Sequence, residues 1–175
     1  MPDAHISGGD KLDAYLKTLS SKVTNAAQLD VGFFEDAEYP DGTSVAMIAA
    51  IQEFGAPKKG IPPRPFFRTM VAAKAGEWGP MLGALLDHND GDAKQSLGQL
   101  GEEIKADLKQ SIVDTNSPAN SPVTDLLKQR FPMGGQTFKD VMKARHDVAN
   151  GVTAPPGKPL VQTGQMLNSV EERVT

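Results

Sequence analysis

Few residues of this chain have the types and spacings that metal chemistry requires. His5, His88 and His146 lie far apart, and none has a second histidine at helical spacing, so we expect each to be exposed or to serve packing. Residues 87–92, DHNDGD, resemble the start of a calcium-binding loop. Their glycine falls one position early, however, and Gly98 stands where a bidentate glutamate is needed. We therefore interpret this segment as a turn that ends a helix, and the sequence predicts no metal site.

Catalytic motifs are equally scarce. The chain contains no cysteine, no glycine-rich phosphate loop, no dinucleotide fingerprint, no zinc-protease motif and no nucleophile elbow. Glu102 and Glu103 are adjacent on a predicted helix and point in different directions, so the two carboxylates cannot share acid–base work. The sequence predicts no catalytic residue, no cofactor and no enzyme. A hydrolase of an unfamiliar kind stays open as an alternative.

Cations concentrate in one segment. Residues 57–74 contain five and no acid: Lys58, Lys59, Arg64, Arg68 and Lys74. Residues 1–56 hold nine acids against three bases, and residues 75–114 hold eight against three. Such a basic band is suited to an acidic neighbour, for example the next copy of the chain, although it is also compatible with a solvated loop. With a formal net charge of −4, bulk attraction to nucleic acid is not expected.

The same segment is stiff. Residues 57–68, PKKGIPPRPFFR, which we call the strap, contain four prolines that fix φ and restrict the residues before them. Phe66 and Phe67 end the strap and are flanked by Arg64 and Arg68. We interpret the two aromatic rings as core rather than as a ligand cage. A stiff segment without catalytic groups indicates a surface held in one shape for assembly.

The elements around the strap follow from local signals. Apolar spacing predicts helices at 9–25, at 67–86 with a disturbance at Gly79-Pro80, and through Leu97–Ile112, and alternation predicts a strand at 29–33. A helix capped by Thr43 or Ser44 should run to Phe54, with Gly55 after it, and should be buried on most faces, within the domain or between subunits.

The second half of the chain is less regular. Residues 115–158 have loop composition and form a predicted extended arm, with possible short helices at 123–130 and 137–146. Thr163 is a possible helix cap, and the polar tail after Val170 is a possible strand. A chain of 175 residues has the length of a single domain, which we assign to 1–175. No apolar run reaches the length of a membrane span.

Three stretches together resemble a known family. They are Val31-Gly32, the run DGTSVAMIAAIQEFGAPKKGIPPRPFFR at 41–68, and PLVQTGQMLNSV at 159–170. These resemble the tailed-bacteriophage virion-morphogenesis family, whose members are called neck, head–tail joining, tail-completion or minor tail proteins. Residues 121–157 are longer than the usual link before the last motif.

The resemblance implies an α+β fold, with a small antiparallel sheet packed against several helices and a long loop-rich insertion before the C-terminal segment. It implies a structural ring subunit, commonly of six copies, in the neck or tail region of the virion and assembled in the host bacterial cytoplasm. Its partners would be further copies and the adjacent head-completion or connector and tail-tube or tail-terminator proteins. Genomic DNA would pass through the lumen without specific binding, and no membrane is involved.

We expect the strap and the 115–158 arm to carry contacts between subunits. The predicted interface residues are Lys58, Lys59, Ile61, Pro62, Pro63, Arg64, Phe66, Phe67 and Arg68. The alternative is a DNA-binding or packaging accessory factor that uses the basic segment 57–74.

Overall fold

The computed structural model describes residues 9–26 and 28–175. Within them lie seven α-helices and one two-stranded antiparallel sheet, which confirms the predicted α+β class. The elements are α1 Gly9–Val23, β1 Leu29–Gly32, α2 Val45–Phe54, a 3₁₀ turn at Pro57–Lys59, α3 Phe66–His88, α4 Ala93–Asp114, α5 Pro122–Arg130, α6 Phe138–Ala149, α7 Gln165–Asn168 and β2 Glu171–Val174. None of these described helices combines the length and the apolarity that crossing a bilayer requires.

The chain divides into two compact units. The first comprises the described residues up to 31 together with 74–104 and 172–175, and the second comprises 32–73 and 105–171. Helices α3 and α4 contribute residues to both units. The assignment of 1–175 to a single domain stays a prediction.

The first unit contains most of the sheet. Residues Gln28 and Thr175 extend the β1–β2 pairing, since each backbone N–H donates to the other residue's carbonyl at 3.0 Å. Helix α4 lies against this sheet at Gly101, where an added Cβ would come within 2.8 Å of the Leu29 side chain. Asp92 accepts from the backbone N–H of Gln95 at 2.9 Å and so caps α4. This confirms that the DHNDGD segment is a turn between helices.

Helix α3 continues through Pro80 to His88, so the disturbance predicted at Gly79-Pro80 does not end or interrupt the helix. A proline inside a helix leaves the carbonyl four residues earlier without its N–H partner. Here that carbonyl belongs to Gly76, which is exposed and therefore accessible to water. The loss of one intrahelical hydrogen bond is thus tolerated at the surface.

In the second unit, local capping defines α2. The Ser44 hydroxyl accepts from the Met47 N–H at 3.3 Å, and the Gly55 N–H donates to the Ile51 carbonyl at 2.8 Å. Both ends lie where the sequence predicts them. Val45 and Ala49 on the inner side of α2 are buried. The remaining core of this unit includes Phe66, Met70, Leu108, Ile112, Leu126, Ala144, Leu160, Met166 and Val170.

Two of the helices lie inside the predicted arm. Helices α5 and α6 pack on each other and form a hairpin at residues 122–149, with Leu126 and Ala144 buried. An ion pair joins Arg130 Nη1 to Asp147 Oδ2 at 2.7 Å. The two short helices predicted in the arm are confirmed, and the rest of 115–158 is loop.

The start of α6 is fixed by a capping box. The Thr137 hydroxyl accepts from the Asp140 N–H at 3.4 Å, and an Asp140 carboxylate oxygen accepts from the Thr137 N–H at 2.8 Å. These reciprocal hydrogen bonds hold the first turn of the helix, and Phe138 with it, in one position.

We expect acid to loosen this turn. The hydrogen bonds from the Thr137 side chain and then its backbone hold the pKa of Asp140 below its ordinary value. Because the folded pKa lies below the unfolded one, the stabilisation is complete above the unfolded pKa and is lost as the pH falls through the folded pKa. The hydrogen-exchange protection factors of the Asp140 and Val141 amides, which are exchange rates corrected for the intrinsic pH dependence of an amide, should therefore fall in acid. An Asp140→Asn variant should have lower protection factors throughout and lose most of this pH dependence; an unchanged acid response in that variant would contradict the assignment.

Candidate functional site

Hydrogen bonds to the buried carboxylate of Glu53 hold the strap against α2. Glu53 Oε2 accepts from the Phe67 N–H at 2.9 Å, and Oε1 accepts from the Arg68 N–H at 3.3 Å and from Arg68 Nε at 2.7 Å. The acceptor therefore caps α3, whose first amides have no intrahelical partner. The Glu53 side chain is only 5% exposed, whereas that of Arg68 is 58% exposed.

A second set of hydrogen bonds joins the strap to the beginning of the arm. The buried Arg64 guanidinium donates to Gln52 Oε1 at 2.9 Å, to the Pro118 carbonyl at 2.9 Å and to the Ala119 carbonyl at 3.3 Å. Burial lowers the pKa of Arg64 from its ordinary value, since removal from water disfavours the charged form. Arg64 thus holds three segments of the second unit together.

Phe66 belongs to the core, as its sequence context predicts. Its side chain is 1% exposed and meets Phe33 edge to face, with ring centroids 6.2 Å apart and planes at 83°. The Phe66 carbonyl accepts from the Ser111 hydroxyl at 2.7 Å, which attaches the start of α3 to α4. A neighbouring subunit therefore cannot reach this ring while the chain stays folded as it is here.

The nine predicted interface residues fall into three groups. Lys58, Lys59, Pro63 and Arg68 are exposed, Ile61, Pro62 and Phe67 are half-buried, and Arg64 and Phe66 are buried. The side chains of the last two are used within the chain, so we remove them from the proposed contact surface. The part played by the other seven between subunits stays a prediction.

The strap also passes unusually close to the end of α2. Gly55 has φ 75° and ψ 172°, a combination that essentially only glycine adopts. An added Cβ would lie 2.8 Å from the Pro63 nitrogen and 2.9 Å from the Ile61 carbonyl oxygen. Both neighbours are backbone atoms, which cannot rotate away as a flexible side chain can.

A Gly55→Ala variant should therefore lose about 2 kcal/mol of unfolding free energy, because the backbone penalty and the steric clash add. Urea denaturation measures this loss. Gly60 offers the matched control: it also has a positive φ, of 68°, but an added Cβ would meet no atom within 4 Å. Gly60→Ala should cost about 1 kcal/mol. Equal losses in the two variants would contradict the close approach at Gly55.

Two of the three stretches that carry the family resemblance, 41–68 and 159–170, contribute residues to one groove in the second unit. This groove, of about 1130 Å³, is bounded by the strap, the turn before α2, the start of the hairpin and residues 159–166. Lys128 closes one side by donating to the carbonyls of Lys158 and Pro159 at 2.6 and 3.1 Å. Burial, with a smaller contribution from the charge of Arg64, lowers the pKa of Lys128, while Asp125 opposes the shift.

Helix α2 has an exposed apolar face that the sequence motifs do not predict. Met47 and Phe54 are 52% and 64% exposed, and Ala50 between them is also exposed. The guanidinium carbon of Arg68 lies 5.1 Å from the centre of the Phe54 ring, in cation–π geometry. The signal was present in the sequence, since a ten-residue helix that is apolar on nearly all sides exceeds what one small unit can cover.

The hairpin carries a second exposed apolar face. Phe138 and Met142, one turn apart on α6, are 78% and 47% exposed, and Met133 in the preceding loop is 82% exposed. Lys139 and Lys143 follow them on the same helix and are also exposed. Aromatic and methionine side chains presented in this way are typical of protein–protein contact surfaces.

The basic segment offers fewer available cations than its composition indicates. Arg64 is buried, Arg68 pairs with Glu53, and Lys74 lies 3.3 Å from a carboxylate oxygen of Glu77. Lys58 and Lys59 are exposed and lie within the 3₁₀ turn. A DNA contact through residues 57–74 would therefore depend chiefly on these two lysines.

The described residues contain no group of three or more histidine or acidic side chains placed to hold a metal ion. Comparison of the chain with protein-family models, with curated proteins and with solved structures found no match in any of the three.

Proposed function

We propose that this chain is a structural ring subunit of the neck or tail terminus of a tailed bacteriophage, where it joins the tail to the head connector during virion assembly. The observation that carries this proposal is the convergence of residues 41–68 and 159–166 on one groove of the second unit. These stretches, more than a hundred residues apart in places, belong to two of the three that resemble the virion-morphogenesis family. Their meeting at one surface supports a common role.

The exposed apolar faces also favour a subunit of an assembly over a monomeric protein. Within the second unit, α2 and the hairpin each expose an aromatic ring together with methionine, and such patches commonly mark contact surfaces. In the proposed role these faces are covered by further copies in a ring, commonly of six, and by adjacent connector, tail-tube or terminator proteins. The subunit acts mechanically, within the virion, after assembly in the host bacterial cytoplasm.

The proposal is tested with virions assembled in the absence of this protein. We expect heads and tails that fail to join, or tails that are unfinished, with infectivity restored when the wild-type chain is supplied in trans. Native mass measurement of the purified chain should reveal a closed oligomer. Complete infectious particles formed without the protein would overturn the proposal.

A DNA titration distinguishes the accessory-factor alternative. A chain that acts by binding DNA should show an affinity that falls steeply with salt and that a Lys58→Ala/Lys59→Ala variant loses. Under the ring proposal, affinity for DNA is negligible at physiological salt and the double variant still assembles.

A further inference from the structure

Two exposed faces of the second unit differ in charge. The face of α2 begins beside an acidic turn, residues 35–41, whose Glu35 and Glu38 side chains are exposed. The face of the hairpin, built around Phe138 and Met142, is accompanied by Lys139 and Lys143. Each face therefore pairs an apolar centre with charge. Arg68 lies over the Phe54 ring at the far end of the α2 face, so the charge opposite in sign to Lys139 and Lys143 is confined to the end of α2 that contains Met47, which the acidic turn precedes.

Both faces are held rigidly. Helix α2 is capped at Ser44 and Gly55, and the start of α6 is fixed by the Thr137–Asp140 capping box. Helix α6 packs on α5, while α2 contacts α7, so the two faces are supported by different helices. Rigid presentation lowers the entropy lost on association, which favours a contact of modest size.

We propose that the hairpin face of one copy docks on the α2 face of the next copy, so that Phe138 and Met142 cover Met47 and Phe54 while Lys139 and Lys143 face the acidic turn. The occupant of each face is thus a second copy of this chain. Because the two faces are different, the contact is head-to-tail, and repeated head-to-tail contacts close into rings. This inference rests on the proposed ring function and specifies the surfaces that build it.

Helix length sets the scale of this contact. The span from Met47 to Phe54 is about 10 Å, so two turns of the hairpin helix are enough to cover it. An aromatic ring at the centre of such a small contact carries much of the affinity. Replacing Phe138 by a charged residue should weaken self-association by about 30-fold or more. The opposite charges chiefly raise the association rate and select the register.

The decisive experiment mixes two defective full-length variants. Phe138→Asp disables the hairpin face, and Phe54→Asp disables the α2 face. Each variant alone should be monomeric by native mass spectrometry and sedimentation. Mixed in equal amounts, they should form a one-to-one heterodimer that does not grow, because each pair retains a single intact contact. Tyr15→Asp, at an equally exposed ring on α1, is the matched control and should assemble as the wild type does.

Charge exchange tests the register. A Lys139→Glu/Lys143→Glu variant should assemble at least about tenfold more weakly, and mixing it with a Glu35→Lys/Glu38→Lys variant should restore association. If a Phe variant loses its fold in circular dichroism, Met142→Glu and Met47→Glu replace the pair in the same mixing design.

Other outcomes overturn the inference. A two-fold contact through α2 alone would leave Phe138→Asp dimeric and give no heterodimer. Normal oligomers in both variants would mean that other surfaces build the assembly, and the ring function would stand without this contact. A wild-type chain that stays monomeric at millimolar concentration overturns the contact, whereas the ring function fails only if virions also form normally without the protein.

Discussion

Replacing Phe66 by alanine is expected to cost about 3–5 kcal/mol of unfolding free energy, one of the two largest effects in this chain. The ring is 1% exposed and lies edge to face against Phe33. Its removal forfeits apolar burial and leaves a cavity at the point where the strap becomes α3. A loss of this size is a large fraction of the stability of an ordinary domain.

Urea denaturation followed by far-ultraviolet circular dichroism measures the loss. Tyr15→Ala is the control, since it deletes an aromatic ring from a side chain that is 64% exposed and lies outside both proposed contact faces. Its unfolding free energy should change by no more than about 0.5 kcal/mol. A small loss for Phe66→Ala would show that this ring is not core and would return it to the list of contact residues.

The elements that the sequence predicts correctly are those whose signals are local. Ser44 and Gly55 delimit α2 because capping needs only neighbouring residues. The apolar spacing within 97–112 predicts α4 for the same reason, and the buried Leu100, Ile104, Leu108 and Ile112 lie on that stripe. Composition alone makes 115–158 resemble loop, yet capping at Ser121 and Thr137 starts two helices there.

The roles of the charged strap residues could not be predicted in the same way. Arg64 and Arg68 have the composition of a binding surface, but their partners are Gln52, Glu53 and two carbonyls beyond α4. Such pairings depend on where distant segments meet, and a linear pattern does not contain that information. The stiffness of the strap was predictable from its prolines, whereas its attachment by buried charges was not.

The same limit applies to the contact surface. The sequence predicts that α2 is buried within the domain or between subunits, because a helix that is apolar on nearly all sides avoids water. Only the fold separates the side that the chain covers, at Val45 and Ala49, from the side that it leaves exposed, at Met47 and Phe54. The sequence shows that α2 has more apolar surface than one small unit covers, but it does not show which side of the helix is left exposed.

Glu53→Ala is the second variant with a large expected effect, a loss of about 2–3 kcal/mol. The Glu53 carboxylate accepts hydrogen bonds from the backbone N–H groups of Phe67 and Arg68 and from Arg68 Nε. The Arg68 guanidinium also donates through Nη2 to the Glu53 carbonyl at 3.2 Å. Hydrogen bonds to a charged acceptor contribute more than neutral ones, and buried donors left without partners are costly.

The size of this loss is limited by Arg68. Its side chain is 58% exposed, so its guanidinium is rehydrated when the carboxylate is removed, and the main cost comes from the two amides of α3 and the vacated space.

Glu53→Gln keeps the shape and one acceptor oxygen but removes the charge, so it should lose about 1 kcal/mol. Glu103→Ala, at an exposed acid of α4 outside both proposed contact faces, should change stability by no more than about 0.5 kcal/mol. The predicted order of stability is therefore Glu103→Ala, Glu53→Gln and Glu53→Ala, from most to least stable. If thermal and urea unfolding instead rank Glu53→Ala with Glu103→Ala, the start of α3 does not depend on the Glu53 carboxylate of α2.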